Sequence, residues 1–258
     1  MESHISEFSY GYALTSELMA RFPSLKAVGA PEFETQNAEG KKGGGWDLKL
    51  PGVPVYLQFK RASRMVRGNA QEASKFNTLP FFRLHLHRRD HSDQHQLLLD
   101  LESEGNVVAY AAPGFSEADE LNDAYSQDLV AARSVFVKPS AIGPLADDRR
   151  HWVAFQMAPL RAFRCSEPRP IEVVVGEVLF SGAAGREAVR RRGRPRPQTY
   201  DEVSEELLAT YVRGERTLVQ SDNVANIRRV RDRRNAAEFA RLIARTLFQC
   251  EMLVMADA

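Results

Sequence analysis

Residues 46–60 constrain this chain more than any other stretch; they read WDLKL, then PGVP, then VYLQFK. Apolar Val55, Leu57 and Phe59 alternate with Tyr56, Gln58 and Lys60, a period of two that suits a strand and not a helix. A strand there puts Gln58 and Lys60 on one face, opposite the face that enters the core. With 51–54 as a four-residue turn, Leu50 pairs with Val55, and the ladder sets Asp47 opposite Gln58, about 5.5 Å away between Cα atoms. Asp47, Gln58 and Lys60 are then expected to share one polar patch. A carboxylate and an amide oxygen are hard ligands of the kind Mg²⁺ takes. A neighbouring lysine can hold a water or offset charge developing on a phosphate.

Around this hairpin the pattern mixes helix and strand. Residues 6–22 predict a helix capped by Ser6, with Leu14, Leu18 and Phe22 four apart. Residues 81–87 and 107–113 read as strands, 92–105 as a helix closed by Gly105, and 116–134 as a helix with an acidic start. FVKPS, HWVAFQ and IEVVVGEVLF read as further strands. At 181–198 the composition changes to SGAAGREAVRRRGRPRPQ, rich in Gly, Arg and Pro and without apolar periodicity, which marks an arm or linker. Beyond it the chain is expected to be helical. Ala236, Phe239, Ala240, Ile243, Leu247, Cys250 and Val254 would form one apolar face over 235–256. Three parts result: an α/β core over 1–180, a basic arm over 181–198 and a C-terminal helical region over 199–258.

Charge excludes one class of function. Lys+Arg 35 against Asp+Glu 34 gives a net charge of +1, so the chain is no polycationic coat for nucleic acid, and any basic site must be local. Two cysteines, Cys165 and Cys250, are too few for a disulfide framework or a Cys-rich zinc site; buried small hydrophobes in a reducing compartment are expected. No apolar run approaches the roughly 18 residues of a membrane span, and the first residues lack a signal-peptide pattern. A soluble cytoplasmic protein, with no membrane partner, is the expectation.

D-x₁₀-Q-x-K on a hairpin, after a first helix that carries a glutamate, resembles the PD-(D/E)XK nuclease superfamily. The likeness is to its restriction-endonuclease-like branch, where the second acidic position can be Gln and the strand reads Q-x-K-R. Here that run is Gln58-Phe59-Lys60-Arg61, and GGGWDLKL stands where the branch has a Gly-rich approach to its aspartate. The resemblance covers roughly residues 5–110. It implies an α/β restriction-endonuclease-like fold, a mixed β-sheet core flanked by helices. It also implies a Mg²⁺- or Mn²⁺-dependent endonuclease that hydrolyses DNA phosphodiester bonds, in a setting such as bacterial antiviral defence or DNA processing. In that reading Asp47, Gln58 and a glutamate of the first helix hold the metal, and Lys60 orients the water or stabilises the transition state. DNA is the implied partner, with a homodimer or a partner protein as further assembly. Gln58 brings no charge, which grounds an alternative: a binding or scaffold module that keeps the fold and has lost a metal ligand.

Two glutamates compete on the first helix. Glu7 shares a stripe with Gly11, Leu14, Leu18 and Phe22 and is the expected ligand, while Glu17 falls beside Ala13 and Arg21. The plain alternative is that Glu7 favours the helix N-terminus as its dipole would; Glu39 is a third candidate. His85 and His87 share a strand face, and His91 and His95 flank a helix start, but no cysteine or acidic trio accompanies them at a usual zinc spacing. They are expected instead, with Arg83, Arg88 and Arg89, to line a surface that meets phosphates. Arg61, Gln94 and His95 are candidate nucleic-acid contacts, with a surface helix cap as the alternative for the last two. In the arm, R-G-R-P-R over 192–196 resembles an AT-hook core, so Arg192 and Arg194 are candidates for a narrow minor groove; a solvated linker fits the same residues. RRVRDRR over 228–234 reads as an exposed helical face.

Overall fold

The computed structural model describes residues 2–22, 25–27, 52–76, 78–90, 92–165, 168–179, 199–213, 218–231 and 235–256. Among them are two five-stranded sheets and eight helices, a mixed α/β architecture. The first sheet orders β1 (Leu25–Ala27), β10 (Glu251–Ala256), β2 (Gly52–Phe59), β5 (Val107–Pro113) and β6 (Ser134–Val137). Only β2 and β5 run parallel; the other pairs are antiparallel. The second sheet is antiparallel throughout, in the order β3 (Ala62–Met65), β4 (Phe81–Leu86), β7 (His151–Met157), β8 (Leu160–Cys165) and β9 (Arg169–Ile171).

Helix α1 (Glu7–Arg21) starts at Ser6, whose side chain accepts the Ser9 N–H, as expected. Leu14 and Leu18 are fully buried, each contributing about 1.5–3 kcal/mol of transfer free energy. Gly11 has a steric reason to lack a side chain: a Cβ there would sit 2.7 Å from the Phe59 ring. The other helices are α2 (Gln94–Ser103), α3 (Ala118–Ser126), the single turns α4 (Pro139–Ile142) and α5 (Gly176–Leu179), α6 (Tyr200–Arg213), α7 (Leu218–Arg229) and α8 (Ala236–Phe248). None is long and apolar enough to cross a membrane. Cys165 and Cys250 are free and buried, as the composition implied.

The hairpin expected at 46–60 is not what β2 forms. Gly52, Val53 and Pro54 belong to the strand instead of a turn, and the lateral neighbours of Val55 are Leu253 of β10 and Val107 of β5. Asp47 itself lies outside the described residues. The physical reason is non-local: Met252, Leu253 and Val254 are all buried and fill the antiparallel edge of β2. The face expected to meet solvent is covered too. Val55 and Leu57 join one apolar core with α1 and with Val107 and Ala109. Tyr56, Val108 and Tyr110 join a second core with Leu84 and Phe155 of the other sheet and with residues of α2, α6 and α8. A sheet buried on both faces explains why every residue of β5 is buried and its sequence does not alternate.

The C-terminal region is likewise not one run of helix. The helix expected over 235–256 stops at Phe248, because Gln249 turns into the left-handed region at φ 52° and caps α8 by donating its N–H to the carbonyls of Ala244 and Arg245. The chain then enters β10, between β1 and β2 of the first sheet. IEVVVGEVLF is also not a strand throughout: β9 ends at Ile171, Val174 makes an isolated bridge to Phe136, and Gly176 opens α5.

Candidate functional site

The carboxyl end of β2 opens into a cleft of about 480 Å³. Glu7, Phe8 and Gly11 of α1 form one wall, Gln94 and His87 another, and Arg245, Thr246, Gln249 and Glu251 a third. Gln58 and Lys60 form its floor. The strand geometry that places them together holds for one residue past β2, since the Lys60 N–H still donates to the Ala111 carbonyl at 2.9 Å. Both side chains are buried, at 7% and 4% exposure, against the expectation of a solvated polar face.

Buried polar groups need partners, and here they find them in a chain of amides. Lys60 Nζ donates to Gln94 Oε1 at 2.9 Å. An ammonium only donates, so this bond fixes which way the Gln94 amide faces. Its Nε2 then donates to Gln58 Oε1 at 2.9 Å and to Gln249 Oε1 at 2.7 Å. Gln58 Nε2 donates in turn to the Phe59 carbonyl at 3.0 Å. Gln94 is therefore a buried hub, where the sequence suggested a substrate contact or a surface cap.

Charge in the cleft is shaped by burial. Desolvation pulls the Lys60 ammonium below the usual lysine value, opposed by the Glu7 carboxylate. Burial, then the Lys60 charge, lower the His87 imidazole, again opposed by Glu7, so His87 is mainly neutral at pH 7. Glu251 accepts from Arg241 Nε at 2.8 Å and from Arg245 Nη2 at 2.7 Å, two cations on one carboxylate. These C-terminal groups were not foreseen. Their visible signal is Arg241 and Arg245, one turn apart on an amphipathic helix, with Arg245 in the last turn, where arginine suits the dipole.

Of the two helix glutamates, Glu7 lines the cleft; it is exposed, and its Oε1 accepts weakly from the Arg61 N–H at 3.4 Å. Glu17 was expected to fall off the packed face of α1, and the structure reverses this: it is 4% exposed and accepts the N–H groups of Val130 at 2.6 Å and Ala131 at 3.2 Å. That role is structural. Glu39 lies outside the described residues.

His95 is not a substrate contact in this arrangement. It is buried, with Nε2 donating to the Gly143 carbonyl and Nδ1 accepting from Tyr110 Oη, each at 2.9 Å. Burial drives its pKa down to about 4. It ties α2 to β5. Arg83, on β4 of the second sheet, is bound to Glu72. Arg88 pairs with Asp90 and Arg89 with Asp148, each with Nε donating at 3.0 Å, and both pairs stay exposed. Arg61 is exposed beside Lys60. His91, Arg192 and Arg194 lie outside the described residues, and so does the whole 181–198 segment.

Among the described residues no three His, Cys, Asp or Glu gather closely enough to hold a metal ion. For Mg²⁺ the donor chemistry fits in part: Glu7 supplies a carboxylate, and Gln58 Oε1 keeps a lone pair after accepting from Gln94. The second carboxylate expected, Asp47, is outside the described residues. No family model matches the chain, and comparisons with curated proteins and with solved structures gave no match either.

Proposed function

We propose that this protein is a metal-dependent phosphodiester hydrolase acting on DNA, with a restriction-endonuclease-like core. Lys60 carries the reading. It is a buried ammonium on the floor of an open cleft, and among the described residues its hydrogen bond is to a neutral amide. A lysine buried that deeply for structural reasons is normally paired with a carboxylate. The Glu7 carboxylate does not outweigh the desolvation of Lys60, so a neutral bonding partner leaves positive charge for an anionic ligand, and a phosphate oxygen matches it. Gln94 takes one of the three ammonium protons and leaves the others to point at a phosphate or at an attacking water. Glu7 and Gln58, with Asp47 as the sequence reading has it, would hold Mg²⁺ or Mn²⁺. A bound ion of that kind polarises the phosphate and lowers the pKa of its water. Bacterial defence or DNA processing is the setting that belongs to this proposal.

Asp47→Ala and Lys60→Ala should each abolish plasmid cleavage in Mg²⁺ or Mn²⁺ while circular dichroism still reports the folded chain. Wild-type cleavage by either variant removes the assignment. Gln58→Glu should preserve or tighten Mn²⁺ binding, because Gln94 Nε2 can donate to a carboxylate as it does to the amide.

The amide chain favours a second reading. Gln58, Gln94 and Gln249 satisfy one another inside the protein, so a module that binds DNA without cutting it would fold equally well. A wild-type chain that binds DNA and cleaves none in any metal belongs to this second class.

A further inference from the structure

We infer that the cleft takes an unpaired strand, and that Phe8 and Tyr12 are the step on which its bases stack. The inference rests on the nucleic-acid reading of the cleft and deepens it by naming the form of the substrate. Helix α1 carries three aromatic side chains in its first two turns, and they divide sharply. Tyr10 is 1% exposed, whereas Phe8 is 52% and Tyr12 48% exposed. Phe8 and Tyr12 are four residues apart, so they stand on one face of the helix with Cβ atoms about 5–6 Å apart. Phe8 lines the cleft that holds Lys60, and Tyr12 continues its row one turn along α1.

Cations and aromatics thus meet at one opening. Lys60 lines it, and Arg61 is exposed beside it. Arg241 and Arg245 are engaged with Glu251, and Glu7 is the carboxylate that the proposed metal would offset. Cations that track a phosphate backbone, next to rings that accept base faces, are the combination that binds single strands without regard to sequence. A continuous duplex keeps its base faces stacked on one another and offers none to Phe8. The pair therefore selects an unpaired segment, frayed end or flap.

The test compares the full chain with Phe8→Ala/Tyr12→Ala and with Phe8→Trp, using fluorescence anisotropy in Ca²⁺. The probes are a labelled oligothymidine and the same label on a blunt hairpin duplex. Both positions are exposed, so the double variant should melt with the wild type. It should lose about tenfold or more on oligothymidine and change by less than about twofold on the duplex, while Phe8→Trp keeps the wild-type affinity. Equal loss on both probes, or no loss on the single strand, overturns the inference. So does a double variant that binds both probes normally but changes oligomeric state in light scattering, since the pair Phe8 and Tyr12 would then be a protein contact. Cleavage in Mg²⁺ or Mn²⁺ is scored separately. Aromatic-dependent strand binding without cleavage keeps this inference and removes the hydrolase; cleavage without aromatic dependence does the reverse.

Discussion

Two buried polar clusters in this molecule handle charge in opposite ways. On the second sheet, Glu72 is 0% exposed and is gripped by Arg83, whose Nε and Nη2 both donate to it, and by Trp152 Nε1 at 2.9 Å. The Arg83 guanidinium also lies 5.0 Å from the Trp152 ring centre. Burial pushes the Glu72 carboxyl up, but the hydrogen bonds from Arg83, the backbone and Trp152, with the Arg83 charge, outweigh it and hold it below the usual glutamate value. Phe76, Phe81 and Cys165 pack in a small core on this sheet. Every charge there meets its opposite, and the product is a loop fastened to a sheet. In the cleft, by contrast, a buried ammonium bonds a neutral amide, Gln94, beside open space, and the Glu7 carboxylate does not outweigh its desolvation. Matched charge makes a structural joint; a charge held by a dipole beside a cavity is what an anionic ligand would meet under the proposed function.

The largest test of that contrast is Arg83→Leu. Removing one partner of a buried pair should cost about 3 kcal/mol in urea unfolding and leave DNA binding unchanged. The pH dependence has a definite sign. Because the folded Glu72 carboxyl lies below its unfolded value, its contribution is present above about pH 4.3 and is lost as pH falls through the folded value. The wild type should therefore lose more stability on acidification than Arg83→Leu; parallel acid curves would break the assignment.

Lys60→Met comes next. Under the proposed function it should lower cleavage by about 100-fold or more, yet change stability by only about 1 kcal/mol. The folded lysine lies below its unfolded value, so the wild type should gain stability over the variant as pH rises from the folded value toward about 10.4. A destabilisation as large as that of Arg83→Leu would place both clusters in one structural class. The smallest effect belongs to Gln249→Gly. Relief of the left-handed backbone at φ 52° offsets the lost bond to Gln94, so melting should move by less than the equivalent of about 1 kcal/mol. A large shift would show that the amide chain supports the fold rather than the position of Lys60.

What could be read from the chain was local. The alternation from Val55 to Lys60 revealed a strand and put Gln58 and Lys60 on one side of it, and spacing on α1 showed that Gly11 faces the sheet. Pairing was not legible. Nothing in VYLQFK says that its antiparallel neighbour is EMLVMA near the other end of the sequence, since strand pairing depends on which distant segment fills the edge. Glu17 was misjudged for a related reason. Tyr10, Ala13, Leu14, Glu17 and Leu18 are all buried, so its position faces the core, but a buried carboxylate is tolerable only because Val130 and Ala131 present their N–H groups to it. Gln94 shows the same limit at the site, for its three partners come from two segments distant in sequence, Gln58 and Lys60 from the end of β2 and Gln249 from the turn before β10.

The insertion of β10 between β1 and β2 also sets an order of assembly. On the ribosome, β2 emerges long before residues 251–256, and until they follow, its edge toward β10 presents unpaired N–H and C=O groups. Gln94 in that interval has no Gln249 to bond, and the wall of the cleft that carries Arg245 and Glu251 is missing. From the emergence of β2 until β10 follows, a nascent chain of this protein has an incomplete sheet and an incomplete cleft, a built-in delay between making Lys60 and closing the walls around it.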